Sequence, residues 1–297
     1  MSDQTDKIER VSVQKTYKLY IGGAFPRSES GRYLPMNDAE GHFVANISRA
    51  SRKDFRASMT AARAAQHGWA KRSAFNRGQI LYRMAEMLES RRGVFEAQLR
   101  DIAGSDEVAA KNEVDAAVDR LVWYAGWSDK FQQVIGSTNP VATAHFNFTV
   151  PEATGVVAIL ASRQSSLLAL VSAFAPVIVS GNTCVVIVDT KAPTVAIELA
   201  EVLATSDLPG GVVNILTGQR SELVGQTGGH MDVDAVFAIG SDDAERKTIA
   251  TDAAESVKRT FFVDDATPAE WRDAKRQSPY WILPFVELKT AWHPIGV

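Results

Sequence analysis

The second half of the chain repeats one pattern, short apolar runs separated by stretches of helix length. Strands that are buried on both faces of a parallel sheet have this continuous apolar character, and a connecting helix between them makes neighbouring strands parallel. The pattern predicts an α/β fold, a Rossmann-like doubly wound parallel sheet with helices on both faces. The strand candidates are GVVAILA (155–161), TCVVIV (183–188), GVVNIL (211–216), DAVFAI (234–239) and TFFVDD (260–265).

The first half of the chain has helical periodicity instead. Ser51 followed by Asp54 has the form of a capping box, and apolar residues recur at three- and four-residue intervals after it. We expect residues 1–140 to form the N-terminal helical part, with two or three helices packed on the sheet between residues 51 and 135. The three predicted helical faces are Phe55, Met59, Ala62 and Trp69; Ile80, Met84, Leu88 and Phe95; and Val114, Ala117, Leu121 and Tyr124.

Two segments with strand character flank the predicted α/β part, which covers residues 153–265. VATAHFNFTV (141–150) alternates with a period of two, which favours an antiparallel arm strand at 141–152. The last part, 266–297, is predicted to hold a connector with a short helix from Thr267 and Pro268 to Trp271. The chain is then predicted to close with an aromatic and β-branched strand, YWILPFVELKTAWHPIGV, which starts at Tyr280. Open strand edges invite pairing with another chain, so the arm predicts oligomerisation. The alternative is that both strands fold back on their own domain.

Composition narrows the classes of partner. The net charge of −3 over 297 residues gives no electrostatic reason to expect nucleic acid or anionic lipid. The longest apolar stretch, Leu167 to Val179, is shorter than the roughly 20 residues that cross a bilayer, and it is predicted to be a core helix. The first ten residues lack the apolar segment of a signal peptide, so a cytoplasmic location is expected. The five histidines have no ligand spacing, and we expect no metal.

The single cysteine, Cys184, lies near the start of a predicted strand, among apolar residues. Ligands of a doubly wound sheet gather at the other ends of the strands, beyond their carboxyl termini. A buried cysteine without basic neighbours behaves as a small hydrophobic residue with a raised pKa. Cys184 is therefore interpreted as part of the core, and no catalytic residue is assigned.

Several segments resemble the aldehyde dehydrogenase family, and the resemblance runs from about residue 18 to 265. It implies a nucleotide-binding domain with a β-arm for oligomerisation. It also indicates a truncated member, similar to the catalytically silent second half of long two-part aldehyde dehydrogenases. The segments are LYIGGAFPRSESGRYLPMNDAEG, AARAAQHGWAKRSAFNRGQILYRMAEMLESR, GVVAIL, APVIVSGNTCVV, LPGGVVNILTG and IGSDDAERKTIATDAAESVKR.

The positions that carry cofactor and oxyanion contacts in the family are mostly replaced. The family's Pro-Trp-Asn, whose asparagine helps form the oxyanion hole, is Ser162, Arg163 and Gln164 here, and Gln164 keeps only an amide that is one methylene too long. The family's Lys-Pro-x-Glu, which holds the adenosine ribose, corresponds to residues 187–190, Ile-Val-Asp-Thr, so both polar groups are lost.

One cofactor element is kept in part. The pair Gly240-Ser241, at the start of a predicted helix, can offer backbone N–H groups to a pyrophosphate. The family glycine four residues after this serine is Glu245, however, and Asp242 and Asp243 add negative charge that repels a pyrophosphate. Gly240, Ser241 and Gln164 are thus vestigial cofactor-binding candidates, with NAD(P) as the ligand that the resemblance implies.

The catalytic groups of the family have no counterpart that we can identify. The general base of its Glu-Leu-Gly-Gly motif corresponds to Phe262, and the adjacent carboxylates Asp264 and Asp265 point to opposite faces of a strand. The nucleophile comes from a separate domain, and too few residues follow Asp265 before the last strand to build one. Three serines (Ser162, Ser165, Ser166) have no histidine nearby in sequence, which leaves open a Ser-His pair assembled in space.

Three hypotheses about function follow. The first is a catalytically inactive, pseudoenzyme subunit that assembles through its arm with a full-length aldehyde dehydrogenase or with a second copy of itself. The second is an NAD(P)-dependent aldehyde dehydrogenase with a non-standard site. The third is a nucleotide-binding regulator without catalysis, which depends on Gly240, Ser241 and the fold alone.

Overall fold

The N-terminal part of the chain forms a small hairpin that is tied to the main sheet. The computed structural model describes residue 11 and residues 14–296. Strand β1 (Tyr33–Asn37) pairs antiparallel with β2 (Phe43–Ser48). Before them, Tyr20 exchanges backbone hydrogen bonds with Ile215 at 2.9 and 2.8 Å, and a turn at Gly22 and Gly23 follows. These bonds hold the start of the chain against the α/β part.

Helices fill the next hundred residues, and their number differs from the expectation. The predicted capping box is present, since the Ser51 hydroxyl accepts from the Asp54 N–H while the Asp54 carboxylate accepts from the Ser51 N–H. The predicted second helix ends at Ser90, and Phe95 belongs to a separate helix that starts at Arg92, so four helices longer than two turns replace the predicted two or three. The elements are α1 (Arg52–Ala70), α2 (Ala74–Ser90), α3 (Arg92–Asp101), α4 (Glu107–Trp127), α5 (Phe131–Ile135), β3 (Ser137–Asn139) and β4 (His145–Ala153).

The five predicted parallel strands are all present, and they form one sheet. The strand order is β7-β6-β5-β8-β9, with every neighbouring pair parallel. The Rossmann-like fold class is thereby confirmed. Because β5 is the first strand of the series and lies in the middle, the order reverses between β5 and β8. The elements are β5 (Val156–Leu160), α6 (Leu168–Val179), β6 (Thr183–Val188), α7 (Pro193–Ala204), β7 (Val213–Thr217), α8 (Arg220–Gly229), β8 (Ala235–Ile239), α9 (Asp243–Ala254) and β9 (Arg259–Val263).

The sheet is buried on both faces, as continuous apolar strands require. On one face a large core includes α2, α4, α6 and α7, and on the other a smaller core includes α1, α8 and α9. Every residue of α6 is buried, which agrees with the prediction of a core helix for the longest apolar stretch. Within residue 11 and residues 14–296, no helix has both the length and the hydropathy that a membrane crossing requires.

A short connector leads from β9 back to the arm. It begins with α10 (Pro268–Trp271), which has the capping box formed by Thr267 and Glu270, and continues through three 3-10 turns to Phe285. The sequence expectation of a strand starting near Tyr280 was wrong for 280–285. Pro284 lacks a backbone N–H, and Ile282 and Phe285 turn inward to the core instead of extending.

The connector is packed tightly onto the helices. Trp271, Ile282 and Phe285 are fully buried. The guanidinium of Arg120 on α4 donates to the carbonyl oxygens of Trp271 at 2.9 Å and Arg276 at 2.6 Å. The connector therefore closes the face of the sheet beside β8 and β9 with its own side chains.

The last strand, β10 (Val286–Pro294), completes a separate three-stranded antiparallel sheet in the order β10-β4-β3, which we call the arm sheet. Strand β4 lies in the middle, paired along its whole length with β10. The two predicted arm strands therefore pair with each other within this chain, and β10 and β3 are the edge strands of the arm sheet. The edge of β10 that faces away from β4 is one border of this sheet.

Candidate functional site

The carboxyl edge of the parallel sheet is the place where a doubly wound fold binds ligands. The reversal of strand order between β5 and β8 puts the expected crevice between Leu160 and Ile239. Charged and hydroxyl side chains follow all five strands at this edge. They are Ser162 and Arg163 after β5, Asp189 after β6, Arg220 after β7, Ser241 after β8, and Asp264 and Asp265 after β9.

Arg220 lies in this crevice, and its side chain has no solvent exposure. Its Nη1 donates to the carbonyl oxygens of Ile239 at 2.7 Å and Ala161 at 3.3 Å, so one guanidinium joins the ends of the two central strands. Its Nη2 donates to Ser241 Oγ at 2.5 Å. Burial lowers the pKa of Arg220, since water no longer stabilises its charge.

A chain of alternating charges extends from this arginine across the edge. Glu245, in the first turn of α9, lies 3.1 Å from Arg220 Nη2 and 3.3 Å from Arg163 Nη2. Arg163 Nη2 in turn lies 3.8 Å from Asp189 Oδ2, and the same Asp189 oxygen accepts from the Arg220 backbone N–H at 3.1 Å. We call the four side chains Asp189, Arg163, Glu245 and Arg220 the carboxyl-edge network.

Asp265 covers the remaining part of the edge. Its Oδ1 accepts from Ser162 Oγ, and its Oδ2 accepts from the Arg163 backbone N–H at 2.9 Å. Gly240 has a φ of +63°, and a Cβ built there would lie 2.7 Å from Asp265 Cβ. Glycine is thus required by the backbone conformation and by the contact with Asp265.

Two of the three cofactor-binding candidates, Gly240 and Ser241, lie at this edge, where other side chains of the protein already contact them. Gly240 is covered by Asp265, and Ser241 is buried with its hydroxyl bound to Arg220. Gln164 is exposed, and its backbone N–H donates to Ser162 Oγ at 3.1 Å. Sequence reasoning missed Arg220, although an arginine placed two residues after the turn glycine of a parallel strand was a usable signal.

Cys184 lies at the opposite end of its strand, as expected. Its backbone N–H donates to the Val212 carbonyl oxygen at 2.8 Å, near the amino end of the sheet. The thiol is fully buried, and burial raises its pKa. These surroundings keep the thiol protonated and out of contact with solvent.

Two of the three serines that sequence reasoning considered, Ser162 and Ser165, and both aspartates have structural partners. The Ser165 hydroxyl donates to Glu113 at 2.8 Å, and Ser162 is bound to Asp265. Asp264 pairs with Arg246 at 2.5 Å, at the surface. Across residues 14–296, no serine hydroxyl is hydrogen-bonded to a histidine ring, and no group of three or more His, Cys, Asp or Glu is placed to hold a metal ion.

The fold and this edge define a class, the Rossmann-like α/β proteins with an added antiparallel arm. The profile of the aldehyde dehydrogenase family matches residues 25–262. The chain belongs to the aldehyde dehydrogenase family. This confirms the family that the sequence segments indicate.

The proteins that are similar to this chain are considerably longer than it. Mouse cytosolic 10-formyltetrahydrofolate dehydrogenase is 31% identical over 261 residues, which are 85% of this chain and 28% of the mouse protein. Cytosolic aldehyde dehydrogenase 1 of Elephantulus edwardii is 29% identical over 265 residues, 87% of this chain and 52% of that protein. The NAD+ complex of an aldehyde dehydrogenase from Bacillus cereus superposes with a TM-score of 0.79 at 26% identity, covering 84% of this chain and 51% of that one. The chain thus spans about half the length, or less, of these relatives.

A dinucleotide like the one in the Bacillus cereus complex does not fit the residues present at this edge. The crevice between β5 and β8 contains the Arg220 side chain, and the backbone at Gly240 is covered by Asp265. The Asp242 side chain caps α9 by accepting from the Glu245 N–H at 2.8 Å. The groups that would approach a pyrophosphate are therefore bonded within the chain.

Proposed function

We propose that this chain is a catalytically inactive member of the aldehyde dehydrogenase family that acts as a subunit. It assembles through the arm sheet with a second copy of itself or with a full-length aldehyde dehydrogenase. The observation that carries the proposal is the apolar surface of the arm sheet. The carboxyl-edge network supports the absence of catalysis.

Large apolar side chains of the arm sheet are exposed on both of its faces. Directly opposed residues share a face, so the pair Phe146 and His293 lies on one face and the pair Asn147 and Trp292 on the other. Phe146 is 46% exposed and Trp292 59% exposed, and Val150 and Leu288 add to the two faces. Contiguous exposed apolar surface of this kind marks a site of protein association.

The border of the arm sheet adds a second feature. Backbone groups on the outer side of β10 are available to pair with a strand of another chain, and such edges otherwise cause aggregation. Charged residues on β10, Glu287 and Lys289, bind Arg259 and Glu152 within the chain. A strand of a partner that pairs with β10 would cover this edge, and packing of the partner against a face of the arm sheet would cover its exposed apolar side chains.

Light scattering after size-exclusion chromatography tests the assembly. We expect the purified chain to be a dimer or larger, and Trp292→Asp and Phe146→Asp to weaken the association at least tenfold, since each buries a charge without a partner. Met231→Asp is the matched control, because Met231 is exposed and apolar but lies outside the arm sheet. Coexpression with a complete aldehyde dehydrogenase of the same cell distinguishes a mixed complex from self-association. A chain that stays monomeric in both settings would overturn the proposal.

The alternative of an active aldehyde dehydrogenase is tested separately. We expect no aldehyde-dependent reduction of NAD+ or NADP+ by the chain alone. Turnover that disappears in Cys184→Ala would show that the buried thiol is a nucleophile and would contradict the proposal that the chain is catalytically inactive.

A further inference from the structure

We propose that the carboxyl-edge network takes the place of a bound diphosphate, and that Glu245 is the residue that closes this edge to anions. The inference goes beyond the assembly proposed above and does not depend on it. Its basis is the set of groups that surround the Glu245 carboxylate.

Two guanidinium groups converge on this one carboxylate. Glu245 Oε1 lies 3.3 Å from Arg163 Nη2, and Oε2 lies 3.1 Å from Arg220 Nη2. Arginine side chains are common recognition elements for phosphate oxygens, because the guanidinium presents several N–H donors in a planar fork. A carboxylate supplied by the chain occupies the position that an anionic ligand would take between them.

Arg220 retains unused binding capacity. Its Nε is buried and has no hydrogen-bond partner among residues 14–296. A buried N–H that lacks a partner is uncommon, because it loses its bond to water without replacement. The Glu245 Oε2 atom is likewise buried without a hydrogen-bond partner among these residues, although it lies 3.1 Å from Arg220 Nη2. The internal carboxylate therefore leaves groups on both sides of the ion pair unsatisfied, as expected of an imperfect substitute for a ligand.

The start of α9 contributes the third element. This helix is 12 residues long, and its N-terminus faces the same edge through Asp242, Asp243 and Glu245. The partial positive charge of a helix N-terminus favours an anion, here met by the chain's own carboxylates. Asp189 and Asp265 accept backbone N–H groups of Arg220 and Arg163, so they stay in place when Glu245 is changed and limit the affinity that can be gained.

Titration calorimetry with inorganic pyrophosphate and with NAD+ tests the inference on the full chain. We expect no saturable heat with the unmodified chain. In Glu245→Ala we expect one pyrophosphate per chain, bound at least tenfold more tightly than by the unmodified chain. Asp243→Ala is the matched control, because it removes the same charge from the same helical turn without touching either arginine.

The titrations are interpreted only for variants that circular dichroism shows to be folded. Glu245→Gln, which keeps the side-chain volume, replaces Glu245→Ala if the alanine variant fails to fold, with the same expected direction. Saturable NAD+ binding by the unmodified chain would overturn the inference, as would an equal gain in Asp243→Ala or a folded Glu245 variant that binds no pyrophosphate. None of these results changes the oligomeric state, so failure here is distinguishable from failure of the proposed assembly.

Discussion

The amide nitrogen of Asn182 donates to the carbonyl oxygen of Phe285 at 2.7 Å, which joins the start of β6 to the end of the connector. The Asn182 Oδ1 accepts from the Gly155 N–H at 2.7 Å, just before β5. One buried side chain therefore fixes where the arm leaves the parallel sheet. This contact is possible only because the chain returns from β9 through a connector of a few turns.

Asn182→Ala is expected to lower the free energy of unfolding by about 2–3 kcal/mol. The substitution leaves the Gly155 N–H and the Phe285 carbonyl oxygen buried without these partners, and each lost partner costs about 1–3 kcal/mol. Urea denaturation followed by tryptophan fluorescence measures the change. A loss below about 0.5 kcal/mol would show that water replaces the amide and that the junction is open to solvent.

Glu113→Ala is expected to destabilise the protein by about 3 kcal/mol. The buried Glu113 carboxylate accepts from Ser165 Oγ at 2.8 Å and from the N–H groups of Leu167 and Leu168 at 3.1 Å, which stabilises the start of α6. Glu107→Ala is the control, because Glu107 is an exposed glutamate in the first turn of the same helix, α4. Equal effects of the two substitutions in urea denaturation would contradict the assigned role of Glu113.

Arg220→Met is expected to cost about 3 kcal/mol of stability, and Arg163→Gln less than about 1 kcal/mol. Both arginines contact Glu245, but the Arg220 side chain is fully buried whereas that of Arg163 is 41% exposed. Removing a buried charge leaves its partners without compensation, and a half-exposed pair is screened by solvent. Thermal unfolding of the two variants side by side checks the order. The reverse order would show that the exposed Arg163 contributes more to the stability of the network than the buried Arg220.

Cys184 is expected to make stability fall above about pH 8.5, the ordinary pKa of a thiol. The folded pKa is raised by burial, so the folded state keeps its proton while the unfolded state loses it as the pH rises. The stabilisation from the protonated Cys184 thiol is fully present below about pH 8.5. Above that pH it is lost by up to about 1.4 kcal/mol per pH unit.

Urea denaturation at pH 7.5 and pH 9.5 measures this effect, with Cys184→Ala as the control that removes the titrating group. The difference between the two proteins isolates the thiol from other groups that titrate at high pH. In the native state we also expect no reaction of the thiol with a disulfide reagent. Rapid modification of the folded chain at pH 7.5 would contradict the buried position.

The sequence by itself determined the class of fold and most of the secondary structure, but not the break between α2 and α3 or the turns at 280–285. Each continuous apolar run could be buried only on both faces of a sheet, and the helical segments between the runs made that sheet parallel. The capping box at Ser51 and the departures at Gln164 and Glu245 from the family pattern were also readable, because they depend on residue identity and spacing alone.

Only the tertiary structure decided how the carboxyl edge is filled and how the arm is paired. Arg163, Arg220 and Glu245 are far apart in sequence, and they meet because parallel strands place their carboxyl ends side by side. The pairing of β4 with β10 likewise depends on the connector, whose buried Trp271 and Phe285 anchor it to the core. Contacts between distant residues depend on the path of the whole chain through space, which local periodicity and propensity do not specify.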